Sequence, residues 1–260
     1  MITLGHWSPL APEEVVGSQK ALLLGPSLGS THRAWSRALA FIGEDIKPVV
    51  FDLPGHGLSA VPEAGWSISD LADAVVRLAD SLELRQFSYG GISLSGAVGL
   101  ELAIRYPDRL SSVAVLSSAP KIGTLESWQQ RQTQVLQSGM GPLVEPTLAR
   151  WFTPGFSARR PEVVAEFGQM LSGVDPHAYA QACQALAEFD VWDRISEIEI
   201  PTLIVHGSDD PVTSWADAQR MNELVSDSGL IQISGASHQV IAEAPEVAIK
   251  HVSFYARKYR

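Results

Sequence analysis

The stretch that most limits how this chain can fold is residues 87–99, FSYGGISLSGAVG. It begins as a short apolar run with aromatic residues, the pattern of a buried strand. From Ala97 to Tyr106 it reads as a helix, with Leu100, Ala103 and Ile104 at helical spacing. Between the two stands Gly91-Ile92-Ser93-Leu94-Ser95, a small-x-Ser-x-small pattern. A strand that turns this sharply into a helix leaves almost no room for side chains two residues before and two after the central serine. It also holds that serine strained, with its hydroxyl pointing into a cleft. Ser95 is a second fit within the same stretch, flanked by Ser93 and Ala97. Ser93 is preferred, because glycine two residues ahead is the stricter steric match and Gly90-Gly91 ends the strand where the turn must begin. Taken alone, the stretch also reads as a Gly/Ser-rich turn without chemistry, so the rest of the chain decides.

With 260 residues, 45% hydrophobic and 18% charged, the chain supports one sizeable core plus an insertion. A net charge of -10 argues against nucleic acid and anionic membrane surfaces as partners. It leaves room for a small anionic ligand, which needs only one or two local cations. The single cysteine, Cys183, excludes an internal disulfide and fits a reducing compartment. Residues 1–19 carry no basic segment followed by an apolar core, and no apolar run approaches the length of a membrane span. These observations point to the cytoplasm. No clustered Cys/His set suggests a metal.

Short buried-strand patterns recur along the chain. Residues 20–24 end at Gly25-Pro26 and lead into a glycine-containing loop at Ser27-Leu28-Gly29. Residues 48–52 run into Leu53-Pro54-Gly55-His56-Gly57, where His56 reads as a brace for the loop rather than a catalytic base. A helix is expected over 67–81, with Leu71, Val75, Leu78 and Ala79 on one face and Ser67 or Ser69 as N-cap. Strands follow at 110–116, 200–206 and 230–233, and Pro245 starts a last helix. Residues 2–17 are weakly patterned, with room for one edge strand. Strands alternating with helices imply an α/β fold with a mostly parallel sheet covered on both faces. Residues 121–190 carry no strand pattern, are broken by Gly and Pro, and are rich in Trp and Arg. The expected organisation is a core of residues 1–120 and 195–260, with 121–194 as a helical cap over the cleft.

Ser93, Asp210 and His238 each fall just after an expected strand. All three therefore lie at the sheet edge where ligands bind in such folds. A serine hydroxyl needs an adjacent base. His238 can accept its proton, and Asp210 can orient the imidazole and stabilise it when charged. Asp209 is the rival acid; Asp210 lies three residues after Gly207 and abuts Pro211, which places it deeper. The backbone N–H groups of Leu28 and Leu94 are the expected oxyanion donors. The chemistry is acyl transfer to water through an acyl-serine, with no metal or cofactor.

These motifs together resemble the α/β-hydrolase family, in which Ser, Asp and His follow in this chain order. The residues 119–124, Trp128, Arg131, Gly139-Met140 and 150–154 resemble 3-oxoadipate enol-lactonases. Ser95 departs from the family's usual glycine, and Pro26 precedes Ser27 where a polar residue is common. The resemblance implies hydrolysis of a small ring ester bearing a free carboxylate, in the β-ketoadipate pathway of aromatic catabolism. It implies Arg131 and Arg150 as candidate carboxylate ligands, with Trp128 and Trp151 as apolar walls and N–H donors. A general carboxylesterase, a carbon–carbon bond hydrolase of the same fold, and a ligand receptor that retains the triad are the alternatives.

Overall fold

The structure of the protein is a computed structural model that describes residues 2–259. Seven strands form one sheet: β1 His6–Trp7, β2 Ala21–Gly25, β3 Lys47–Phe51, β4 Phe87–Ile92, β5 Leu110–Leu116, β6 Thr202–Gly207 and β7 Ser228–Ile233. Their order is β1-β3-β2-β4-β5-β6-β7. Only β1 runs antiparallel, pairing His6 with Phe51 and Trp7 with Val50. It is the edge strand that the weak pattern of residues 2–17 allowed. The continuous apolar runs follow from parallel pairing, because every residue of β2, β4 and β6 is buried and both faces are covered.

The helices are α1 Pro12–Val15, α2 Ser36–Leu39, α3 Ile68–Ser81, α4 Leu94–Arg105, α5 Leu125–Ser138, α6 Gly141–Trp151, α7 Pro154–Arg159, α8 Pro161–Ser172, α9 Pro176–Glu188, α10 Trp215–Leu224, α11 Val240–Glu243 and α12 Pro245–Lys258. The apolar sides of α3 and α4 bury against one face of the sheet, through residues such as Leu71, Val75, Val98 and Leu102. Those of α2 and α12 bury against the other, through Ala38, Ile249 and Val252. Ser67 is the N-cap of α3: its Oγ accepts from Asp70 N–H at 3.1 Å, and the Asp70 carboxylate accepts from Ser67 N–H at 2.8 Å. Helices α5 to α9 all lie between β5 and β6, and no strand interrupts them.

The helix after β4 starts at Leu94, three residues earlier than its apolar spacing suggests. Ser93 is the reason. Its carbonyl already accepts the first intrahelical bond, from Ala97 N–H at 3.0 Å, so the turn occupies a single residue. Two further bonds seat it: Ser93 N–H donates to Leu116 at 2.9 Å, and Ser118 Oγ donates to the Ser93 carbonyl at 2.8 Å. Gly91 makes the turn sterically possible, because a Cβ there would run into the Ser95 carbonyl.

Gly91→Ala is therefore expected to lower stability by about 1–3 kcal/mol, the range for overpacking a rigid site. Gly65→Ala, where a Cβ meets nothing within 4 Å, should stay within about 0.5 kcal/mol of wild type. Urea midpoints check both; equal midpoints for the two variants would contradict the packing account.

Candidate active site

Ser93 stands at φ 57° and ψ -118°, a backbone conformation that L-residues rarely adopt. It is 8% exposed, while Ser95 is fully buried. The Ser95 hydroxyl donates to the Pro26 carbonyl at 2.6 Å, which ties α4 to the loop after β2. The residue that replaces the usual glycine thus serves the loop beside the turn rather than the cleft.

The loops after β6 and β7 bring Asp210 and His238 together. His238 Nδ1 lies 2.9 Å from Asp210 Oδ2, with both side chains buried. Thr213 Oγ1 donates to the same oxygen at 2.7 Å, and Val212 N–H donates to the other at 2.8 Å. Burial alone would raise the Asp210 pKa. The opposite charge available on His238 and these hydrogen bonds outweigh it and bring the carboxyl down to about 2. Asp209 turns away, accepting from Ser208 Oγ at 2.9 Å at the surface.

The loop after β2 carries Leu28. Ser27 C=O accepts from Ser30 N–H, and Gly29 N–H donates to His56 Nε2 at 3.1 Å. The other ring nitrogen, Nδ1, donates to Pro54 C=O at 2.9 Å. His56 is thus a loop brace, as its place between two glycines suggests. Its pKa falls to about 4 because burial penalises the charged ring, against opposing pulls from Pro54 and Asp52. The buried Asp52 carboxylate accepts from His32 N–H, His32 Nδ1 and Leu58 N–H and holds the flanking loops together. Neither Leu28 N–H nor Leu94 N–H has a protein acceptor among the described residues. Leu94 is also the first residue of α4, where helix N–H groups lack intrahelical partners and the dipole favours negative charge.

A cavity of about 190 Å³ opens beside Ser93 and His238. Ser93, His238 and Leu28 line it, and so do all four side chains singled out in the helical segment: Trp128, Arg131, Arg150 and Trp151. Arg131 lies over the Trp128 ring, 5.7 Å from its centroid, and Arg131 Nη1 donates to Tyr179 Oη at 3.3 Å. Arg150 Nε donates to Pro146 C=O at 3.3 Å. Although Arg150 is exposed as a whole, partial burial and then the like charge of Arg131 lower its pKa. Neither arginine has a carboxylate partner among the described residues, where ten of the twelve ion pairs engage a lysine or arginine. Tyr179, also a lining residue, escaped the sequence reading because its position in a helix reads only as core. Among the described residues no three His, Cys, Asp or Glu side chains gather as a metal site, and no helix is long and apolar enough to cross a membrane.

The family model for the alpha/beta hydrolase fold matches residues 20–245. The chain belongs to the α/β-hydrolase family. Two similar members are 3-oxoadipate enol-lactonases of Acinetobacter baylyi. One is 36% identical over 226 residues, which cover 87% of this chain and 84% of that protein. The other is 33% identical over 237 residues, covering 91% and 88%. The crystal structure of the enol-lactonase from Burkholderia xenovorans LB400 superposes with a TM-score of 0.92 at 26% identity, covering 98% of this chain and 96% of that one.

The buried neutral His56 makes a pH prediction. Its native pKa of about 4 lies below the ordinary 6.5. Between those values the unfolded chain binds a proton that the native protein does not, so this contribution is lost as pH falls. From pH 7 to pH 5 it should remove about 2 kcal/mol. His56→Gln keeps an acceptor for Gly29 N–H and should flatten that slope. Urea unfolding at the two pH values tests this, and an unchanged slope in the variant would contradict it.

Proposed function

We propose that the protein opens the lactone ring of 3-oxoadipate enol-lactone, giving 3-oxoadipate through an acyl-serine. One observation carries the substrate class: two arginines without carboxylate partners face the same small cavity as Ser93 and His238, in a chain of net charge -10. Two neighbouring cations in an acidic protein are stabilised by a ligand anion. The similarity to enol-lactonases points the same way.

In this reading residues 121–194 are a cap over the core, and they supply the specificity. The substrate carboxylate sits between Arg131 and Arg150, with the Trp128 and Trp151 rings against the lactone. Ser93 Oγ attacks the ring carbonyl while His238 takes its proton, and Asp210 stabilises the resulting imidazolium. Charge on the carbonyl oxygen is received by Leu28 and Leu94 N–H, each such donor being worth roughly 10²–10³ in turnover. The ring C–O bond breaks, and His238 returns the proton to the enol oxygen, which stays tethered to the acyl group. A water molecule then attacks the acyl-serine with His238 as base. Ser93 leaves with a proton, and the enol product becomes 3-oxoadipate on ketonisation.

Steady-state hydrolysis of the lactone beside p-nitrophenyl acetate tests this. Arg131→Ala or Arg150→Ala should raise KM for the lactone about 10- to 100-fold, the equivalent of a lost charge-assisted hydrogen bond. KM for the neutral ester should barely move. Equal effects on both substrates would remove the carboxylate role. An inert lactone beside rapid ester turnover would replace this reading with a general carboxylesterase.

A further inference from the structure

We propose that Gln239 is a positioning residue that locks the oxyanion loop to the loop carrying the catalytic base; this rests on the reading of Ser93, His238 and Leu28 above. Gln239 directly follows His238 and is fully buried. Its N–H donates to Trp151 C=O at 3.0 Å, on the cap segment. Its side-chain Nε2 donates to Ser27 Oγ at 2.7 Å, on the loop after β2.

The hydroxyls around Ser27 suit the orientation in which the Gln239 amide turns Nε2 to Ser27 Oγ. Ser30 Oγ donates to Ser27 C=O at 3.0 Å, which commits its proton. The 2.9 Å contact between the two serine hydroxyls is then a donation from Ser27 to Ser30. Ser27 Oγ is then left to accept, which matches the amide presenting its NH₂ group to it. That orientation leaves Gln239 Oε1 buried without a partner among the described residues. A half-satisfied buried amide is less stable than an apolar side chain of the same size. Stability therefore does not account for a glutamine at this position.

The Leu28 N–H gives the position its use. That N–H belongs to the Ser27–Leu28 peptide unit, whose carbonyl accepts from both Ser30 N–H and Ser30 Oγ. In a trans peptide N–H and C=O point in opposite directions. Bonding the carbonyl on one side therefore aims the Leu28 N–H at the other, where Leu28 lines the cavity. Gln239 anchors this network from the Ser27 side chain, and its main chain anchors the base loop to the cap. An oxyanion donor works only while it is held in place, since a small displacement forfeits transition-state stabilisation.

The test compares wild type, Gln239→Leu, Ser27→Ala and the double variant, with Ser93→Ala as reference. The measurements are turnover of the lactone and of p-nitrophenyl acetate, the Ki of phenylboronic acid, and the urea midpoint. Gln239→Leu should lose about tenfold in kcat on both substrates, part of the roughly 10²–10³ attached to one donor, with KM within about twofold. The boronic acid Ki should rise in the same proportion while the urea midpoint stays at or above wild type. The double variant should be no worse than the poorer single, because both act through one bond. Unchanged kcat, losses that multiply in the double variant, or lost activity with a lower midpoint and an unaltered boronic acid Ki would each overturn the proposal. If Ser93→Ala is inactive while Gln239→Leu turns over at the wild-type rate, only the role of Gln239 falls. If Ser93→Ala keeps full turnover, the site assignment falls and this proposal with it.

Discussion

The strained turn at Ser93 is the constraint around which the site is built. Holding a non-glycine residue at φ 57° costs on the order of 1–3 kcal/mol. The surroundings over-determine it. The Ser93 amide is tied to β5, its carbonyl accepts from Ser118 and from the first turn of α4, and Gly91 gives the chain room to double back. The same compact turn begins α4 at Leu94. The Leu94 N–H, which the helix cannot use, thereby directly follows Ser93 in the chain. Under the proposed function, nucleophile and one electrophilic donor are thus both consequences of a single backbone feature.

Around that turn, rigidity comes from buried polar side chains that are neutral or fully paired. His56 is kept uncharged by burial, so it can accept from Gly29 with one nitrogen and donate to Pro54 with the other. Asp52 satisfies three donors, and Asp210 satisfies His238, Thr213 and Val212. Arg131 and Arg150 are the contrast. They stand close enough for one to depress the other's pKa, and no carboxylate of the described protein answers them. Like charges placed this close are stabilised by an anion, and on this the proposed function rests its preference for a carboxylate-bearing substrate over a neutral one.

Local patterns in the sequence disclosed the sheet, the turn and the order of Ser93, Asp210 and His238, because each depends on neighbours a few residues away. Leu110–Leu116 is a strand over the residues its apolar pattern marks, and Ser67 caps its helix. The Trp and Arg content of residues 121–190 drew attention to Trp128, Arg131, Arg150 and Trp151, and these four side chains line one cavity. What the sequence left hidden is set by partners far along the chain. Ser95 finds Pro26 at a separation of 69 residues, and Gln239 finds Ser27 at 212. Tyr179 reaches Arg131 from another helix. Periodicity registers such side chains as buried or polar and says nothing of what they touch.

The most direct measurement is the site of covalent labelling by a fluorophosphonate, read by intact mass and peptide mapping. The proposed function requires the strained turn and the His238–Asp210 pair to activate one hydroxyl, so one equivalent should attach to Ser93, with activity lost in step. Labelling at Ser95, or a fully active protein carrying no label at Ser93, would contradict the account.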